Sequence, residues 1–133
     1  MQFDLVTPSA QIASMEADYV MVPGEEGMFG VLDGHAPLIS SLKAGVLSVK
    51  QGEEETVYCV GSGLADVQPT GVTILADEIT KKEDINTAET EKSLEAVKAE
   101  IATYADDESK VAILEKAQKK QAYFEAMLEM ASA

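Results

Sequence analysis

Alternation of apolar and polar positions through the first eighty residues predicts a series of short β-strands. Phe3 and Leu5 flank the polar Asp4, and Pro8 ends this first run. The next run, residues 11–22, alternates irregularly, which predicts one long strand that is bent by a bulge. Further short strands are predicted over residues 44–50, 56–60, 64–68 and 72–76. Strands at this spacing, separated by turn residues, are typical of a β-sandwich or flattened barrel.

The pattern changes after Thr80 and becomes helical. Glycine and proline are absent from residues 81–133, where alanine, glutamate and lysine dominate. Asn86, with Glu89 three residues later, predicts the N-cap of a first helix, and the Asp106–Asp107 pair predicts a second N-cap. Apolar residues recur at helical spacing in both segments: Leu94, Val97 and Ile101, then Ile113, Ala117, Phe124, Leu128 and Ala131.

Two helices joined by a short link predict an antiparallel helical hairpin. The predicted fold class is therefore α+β, with two parts. An antiparallel β-sandwich, or flattened barrel, covers residues 1–84 and is followed by an antiparallel two-helix hairpin over residues 85–133.

The segment Val22–Ile39 concentrates unusual residue types. It holds four glycines, two prolines, the acidic pair Glu25–Glu26 and the only histidine, His35. Glycine permits backbone angles that other residues resist, and proline fixes φ and removes a donor. The residues between these glycines and prolines are too apolar for a flexible linker. We therefore expect a tightly folded surface segment with strand-like pieces between sharp turns.

Composition excludes several classes of function. The net charge is −14 and there is no arginine, which argues against nucleic-acid binding and against phosphoryl transfer. Cys59 stands alone between apolar neighbours, which predicts a small buried side chain and no disulfide. The N-terminus lacks a signal-peptide pattern and no apolar run is long enough to span a bilayer, so we expect a soluble, cytoplasmic protein.

No set of residues suited to catalysis emerges. His35 has no second histidine or cysteine at metal-ligand spacing, so no metal site is predicted, and a hydrogen-bonded turn histidine is the simpler interpretation. Ser40 and Ser41 lack a third orienting group, and Gly61–Gly63 has only the first half of a dinucleotide fingerprint. The neighbouring acids Glu25 and Glu26 are expected to point apart into solvent or toward a partner. These residues predict a protein without catalytic residues or a cofactor.

Two segments resemble signatures of a known family. EGMFGVLDGHAPLI (Glu26–Ile39) resembles the E-G-x-x-G-x-x-x-G-H-A-P-L signature of the epsilon subunit of F-type ATP synthases. GSGLADVQPTGVTILAD (Gly61–Asp77) is similar to the second signature of that family. The layout, a sandwich followed by a helical hairpin, is similar to the short bacterial form.

The resemblance implies a non-catalytic rotor subunit that couples proton translocation to ATP synthesis. In this family the sandwich joins the gamma subunit of the central stalk to the membrane-embedded c-ring. The ring-contacting turn then corresponds to Glu25, Glu26, Gly27 and Met28, and the gamma side to His35, Ala36 and Pro37. The implied location is peripheral, at the cytoplasmic face of the bacterial inner membrane, without insertion into the bilayer.

The first helix departs from the family pattern where many bacterial members bind ATP. Their I/L-D-x-x-R-A motif corresponds here to Ile85, Asn86 and Glu89, so an anion replaces the phosphate-binding arginine. We expect ATP sensing to be weak or lost, although an ATP-responsive brake stays an alternative.

In several relatives the helices extend and inhibit hydrolysis through basic contacts with the alpha and beta subunits of the catalytic head. Four lysines are candidates for that role here: Lys110, Lys116, Lys119 and Lys120. The last thirteen residues carry only the acids Glu125 and Glu129, which suits an acidic target poorly. A third alternative, independent of the family, is a free-standing binding module whose helices dimerise.

Overall fold

The computed structural model describes residues 1–132, and within them strands precede helices. Strands β1 to β5 are Gln2–Thr7, Ala10–Glu16, Tyr19–Gly24, Gly27–Leu32 and Leu38–Leu42. Strands β6 to β10 are Gly45–Gln51, Glu54–Val60, Gly63–Gln68, Gly71–Ala76 and Ile79–Lys81. A 3-10 helix, Lys82–Asp84, precedes α1 (Thr87–Tyr104), and a second one, Glu108–Lys110, precedes α2 (Val111–Ser132).

The strands form a sandwich whose two halves are linked by hydrogen bonds at one point. In hydrogen-bonding order they run β10-β7-β6-β3-β5-β8-β9-β1-β2, and β4 pairs with the other side of β3. A single pair, Gly24 with Leu42, joins β3 to β5. The pairs are antiparallel except for β1 with β9, which run parallel. The predicted α+β class, with a sandwich followed by a helical region, is confirmed.

Alternation places the apolar side of each strand in one core between the halves. Its largest fully buried side chains come from β1, β3, β4, β6, β7, β8 and β9: Phe3, Leu5, Val20, Val22, Val31, Leu47, Val49, Val60, Val67, Val72 and Ile74. Each buried branched or aromatic side chain contributes about 1.5–3 kcal/mol to the free energy of unfolding. This core is what fixes the positions of the surface turns.

The prediction of one bent strand over residues 11–22 is wrong. Ala17 is buried and its amide donates to the Met1 carbonyl at 2.8 Å, while the amide of Asp18 donates to the Lys50 carbonyl at 2.8 Å. The chain therefore crosses between the halves here, because β2 pairs with β1 and β3 pairs with β4 and β6. The register shift that a bulge would cause lies instead in the pairing of β1 with β2, between Leu5 and Val6.

Strands β6, β7 and β10 show details that the sequence pattern does not predict. In β6 the buried residues are Leu47 and Val49, whereas Val46 points outward. The turn between β6 and β7 consists of Gly52 and Glu53 alone, because β7 already begins at Glu54 rather than at residue 56. Strand β10 was not predicted at all; three residues are too few to show a period.

Both predicted N-caps are present. The Asn86 side-chain oxygen accepts from the Glu89 amide at 3.0 Å and begins α1. Asp107 accepts from the Ser109 amide at 3.0 Å and begins the second 3-10 helix rather than α2 itself. In the predicted stripe of α2, Ala117 is buried against Leu94 and Val97, with Phe124 and Leu128 packed alongside. Ile113 and Ala131 are exposed, so their assignment to that stripe is wrong.

Helix α2 attaches the hairpin to the sandwich. Its residues Tyr123, Met127 and Met130 form a buried cluster with Cys59 of β7. We call these four residues the docking cluster. α1 packs on α2, so the hairpin is held mainly through one helix. The division of the chain at residues 84 and 85 stays a prediction.

Candidate binding surfaces

The acidic turn joins β3 to β4 and is anchored at its base. Gly24 pairs with Gly27, which leaves Glu25 and Glu26 at the tip. Gly27 has φ of 132°, a region that side-chain-bearing residues rarely adopt. The Glu25 amide donates to the Ser41 carbonyl at 2.9 Å, and the Lys43 amide donates to the Pro23 carbonyl at 3.0 Å. The turn is therefore fixed to the end of β5.

The structure brings the four predicted ring-contacting residues together on this turn and leaves all of them exposed. We call Glu25, Glu26, Gly27 and Met28 the acidic turn. Met28 is 53% exposed, so this turn presents one apolar side chain beside its two carboxylates. Neither carboxylate lies within ion-pair distance of a cation in residues 1–132. Both charges therefore remain available to a partner.

The second predicted contact lies at the other end of β4. We call His35, Ala36 and Pro37 the histidine turn. The Gly34 amide, at a residue with φ of 83°, donates to the Pro69 carbonyl at 2.9 Å, and the His35 amide donates to the Leu32 carbonyl at 3.1 Å. These bonds tie the turn to the connection between β8 and β9. Ala36 and Pro37 are exposed, and His35 is half-buried.

The histidine ring is satisfied locally. Its Nδ1 lies 2.7 Å from the Ala36 carbonyl oxygen, and because a carbonyl only accepts, Nδ1 carries the proton in this contact. This geometry confirms the prediction of a hydrogen-bonded turn histidine. Among residues 1–132 no group of three potential metal ligands lies together.

The two turns are separated by the length of one strand. β4 has six residues, and at about 3.3 Å per residue it spans roughly 17–20 Å. Two different partners can therefore contact the two turns at the same time. The strands that precede and follow β4 in the chain are each held by a further strand, because β3 also pairs with β6 and β5 pairs with β8.

The residues at the position of the family's ATP motif have structural roles. Ile85 packs against the docking cluster, and Asn86 caps α1. Glu89 is exposed, and its side chain makes no ion pair in the described part of the chain. These observations leave the expected loss of ATP binding as a prediction.

The candidate regulatory lysines lie on or next to α2. Lys116, Lys119 and Lys120 line a cavity of about 440 Å³ whose other wall includes Asp77 and Glu78. Lys110 lies in the 3-10 helix that precedes α2. Three of the four lysines therefore lie close to acidic residues of the sandwich, and Lys110 lies elsewhere.

Sequence reasoning missed the polar contact that accompanies docking of α2. The Tyr123 hydroxyl lies 2.5 Å from that of Thr80 in β10. Burial raises the pKa of Tyr123 to about 12, with smaller contributions from Cys59 and Glu78, while the hydrogen bond with Thr80 lowers it. A tyrosine opposite a three-residue strand leaves no periodic signal from which this pair can be recognised.

Cys59 is a packing residue. It is fully buried under α2, and burial raises the pKa of its thiol to about 12. Because the thiolate is the reactive form, such a thiol is a poor nucleophile at neutral pH. The predicted buried cysteine is confirmed.

None of the helices within the described residues has the length and apolar character that crossing a bilayer requires.

Comparison with known proteins identifies the family. The profile of the beta-sandwich domain of the ATP synthase delta/epsilon chain matches residues 1–82. The ATP synthase epsilon chain of Hyphomonas neptunium is 39% identical over 116 residues, which cover 86% of each chain. That of Ruegeria sp. is 33% identical over 127 residues, which cover 96% of this chain and 93% of the relative.

Solved structures agree with the sequence matches. A chain of the Euglena gracilis mitochondrial ATP synthase, determined by cryo-electron microscopy as OSCP, F1 and c-ring, superposes with a TM-score of 0.77. It is 27% identical, and the match covers 98% of this chain and 80% of that one. A chain from the central stalk and c-ring of the Tetrahymena thermophila enzyme has a TM-score of 0.62 at 11% identity, which supports the fold alone. The protein described here belongs to the ATP synthase epsilon chain family.

Proposed function

We propose that this chain is a non-catalytic subunit of the central stalk that links the gamma subunit to the c-ring. In this role it transmits torque, and so couples proton translocation to ATP synthesis. The observation that carries the proposal is the pair of exposed turns at opposite ends of β4, each fixed to neighbouring strands by backbone hydrogen bonds. The acidic turn contacts the ring in this proposal, and the histidine turn contacts gamma.

A joint that bears torque needs rigid contact surfaces. Glycine and proline in fixed turns, backed by a buried core, leave little conformational entropy to lose on docking. The unpaired carboxylates of Glu25 and Glu26 are placed to meet basic groups on the polar loops of the ring. Charges at such a rim set orientation and association rate more than affinity.

The charge of the chain supports contact with protein loops rather than with lipid. With a net charge of −14, the chain is repelled by anionic membrane surfaces. The proposed location is therefore peripheral, at the cytoplasmic face of the bacterial inner membrane and held there by the complex.

The proposal predicts that the two turns can be separated by mutation. Purified chain should bind isolated gamma, and Ala36→Glu should weaken that binding because it places an acid on the histidine turn. The double variant Glu25→Lys, Glu26→Lys should bind gamma like the wild type and reduce proton-coupled synthesis in the reassembled complex. If the acidic-turn variant loses gamma binding while Ala36→Glu retains it, the assignment of the two turns is wrong.

A second candidate function is inhibition of ATP hydrolysis by the helices. The favouring observation is the grouping of Lys116, Lys119 and Lys120 on one side of α2, with none in an ion pair within residues 1–132. If the helices act as a brake, replacing these three lysines with glutamine should raise the hydrolysis rate of the reassembled enzyme. An unchanged rate would contradict the brake and leave the coupling role untouched.

A further inference from the structure

Two glycines in the β3–β4 hairpin are each covered by an aromatic ring from the facing strand. Met21 pairs with Gly30, and Tyr19, two residues before Met21 in β3, is diagonal to that glycine. The nearest atom to a Cβ built on Gly30 would be the Tyr19 hydroxyl oxygen, followed by Cζ at 2.8 Å and Cε2 at 3.0 Å, so the phenol end of the ring covers this glycine. The tyrosine ring therefore occupies the space in which a side chain at Gly30 would stand.

The second pair repeats this arrangement nearer the tip. Gly24 pairs with Gly27, and Phe29 of β4 is diagonal to Gly24. A Cβ on Gly24 would lie 2.8 Å from the Gly27 carbonyl oxygen, 2.9 Å from Phe29 Cε1 and 3.0 Å from Phe29 Cδ1, so the facing backbone and the ring both occupy this space. Each strand thus supplies one aromatic ring and one covered glycine.

The two pairs lie on opposite faces of the hairpin. Val20 and Val22 are fully buried, so the alternate residue Tyr19 points to the face away from the core. Phe29 packs against the core cluster and so lies on the inner face. The β3–β4 hairpin therefore has one aromatic ring on each of its two faces.

The hairpin needs such support because its outer strand has a neighbour on one side only. Within the described residues, 1–132, β4 pairs with β3 alone. Glycines inside a strand weaken it by adding backbone freedom and removing packing. An aromatic ring placed over the glycine restores cross-strand packing and limits bending.

We propose that Tyr19 and Phe29 are positioning residues that stiffen the hairpin which carries the acidic turn. This inference rests on the proposed coupling function. If the β3–β4 hairpin were flexible, it would bend when torque is applied. The acidic turn would then stay in contact with the ring but would transmit less of the torque. The rings act through the backbone of the hairpin and touch no partner themselves.

The first test measures stiffness in the isolated full chain by amide hydrogen exchange. Tyr19→Leu should speed exchange of the β4 amides about tenfold and leave β8 and β9 unchanged. Tyr19→Phe keeps the ring over Gly30 and should resemble the wild type. Gly30→Ala should also speed exchange, because its Cβ displaces the tyrosine, and it should have much less effect in the Tyr19→Leu background. Unchanged exchange in Tyr19→Leu would overturn the stiffening role.

The second test measures coupling in vesicles that contain ATP synthase depleted of this chain and then supplied with full-length variants. Tyr19→Leu should bind the complex within about threefold of the wild type, yet pump at most about half as many protons per ATP hydrolysed. Val72→Ala is the matched control, since it removes a buried side chain from β9, a strand that pairs with β1 and β8 rather than with the hairpin. Normal pumping with Tyr19→Leu, or an equal loss with Val72→Ala, would overturn the positioning role. Failure of the wild type to restore pumping would instead contradict the proposed coupling function.

Discussion

The hydroxyl groups of Thr80 and Tyr123 lie 2.5 Å apart and form the only side-chain hydrogen bond between strands and helices within residues 1–132. Apolar packing at this junction is concentrated in the docking cluster under α2. The position of the helical hairpin, α1 and α2, therefore depends on a small number of side chains. Their individual contributions are accessible to mutation.

Tyr123→Phe tests the polar contact. It removes one hydroxyl and leaves that of Thr80 half-buried without its partner, so we expect the free energy of unfolding to fall by about 1 kcal/mol. Urea unfolding followed by circular dichroism measures this change. Tyr104→Phe, in a helix and without a hydrogen bond to the sandwich, is the control and should have little effect. Equal stability of both variants would show that the contact contributes nothing.

Cys59 reports on whether α2 is docked. The thiol is fully buried, and burial raises its pKa to about 12, so very little thiolate is present at pH 8. We expect slow reaction with a thiol reagent in the wild type. Met127→Ala or Met130→Ala leaves a cavity over the thiol and should speed the reaction severalfold. Met28→Ala, on the exposed acidic turn, should leave the rate unchanged; fast labelling of the wild type would contradict the docked arrangement.

The raised pKa values of Cys59 and Tyr123 predict a loss of stability in alkali. Their ordinary values are 9.0 and 10.0, and burial raises both to about 12. Between about pH 9 and 12 the unfolded chain releases protons that the folded chain retains, so the free energy of unfolding falls as pH rises. The double variant Cys59→Ala, Tyr123→Phe should show a shallower fall over the same interval. A slope identical to that of the wild type would mean that neither group is protected by folding.

Titration calorimetry with millimolar ATP tests the altered nucleotide motif. We expect no saturable heat, because Glu89 carries a negative charge where the family motif has a phosphate-binding arginine. A variant with Asn86→Asp and Glu89→Arg restores those two motif positions and serves as the comparison. Saturable binding by the wild type would overturn the expectation that ATP sensing is weak or lost.

The regular parts of the fold were predictable because local patterns determine them. Phe3 and Leu5 in β1 alternate with polar residues, and Asn86 marks the start of α1 through a single hydrogen bond to an amide three residues on. The position of the acidic turn follows from Gly27, whose positive φ the reversal at the tip requires, and from Gly24, which pairs with it. These signals span only a few residues each.

Features that depend on distant partners were not predictable. Ala17 continues an apparent alternation in sequence, yet its amide bonds to Met1 and the chain crosses between the halves there. The residues that dock α2, such as Met127, look like any other apolar helix position until Cys59 is seen beneath them. The parallel pairing of β1 with β9 joins strands more than sixty residues apart and leaves no local trace.

The most direct test of the central claim is to add this chain back to ATP synthase from which it has been removed. Proton-driven ATP synthesis and ATP hydrolysis are measured together in vesicles. We expect the depleted complex to hydrolyse ATP while losing proton-driven synthesis, and the added wild-type chain to restore synthesis, with less restoration by the Glu25→Lys, Glu26→Lys variant. Full proton-coupled synthesis by the complex that lacks this chain would contradict the account.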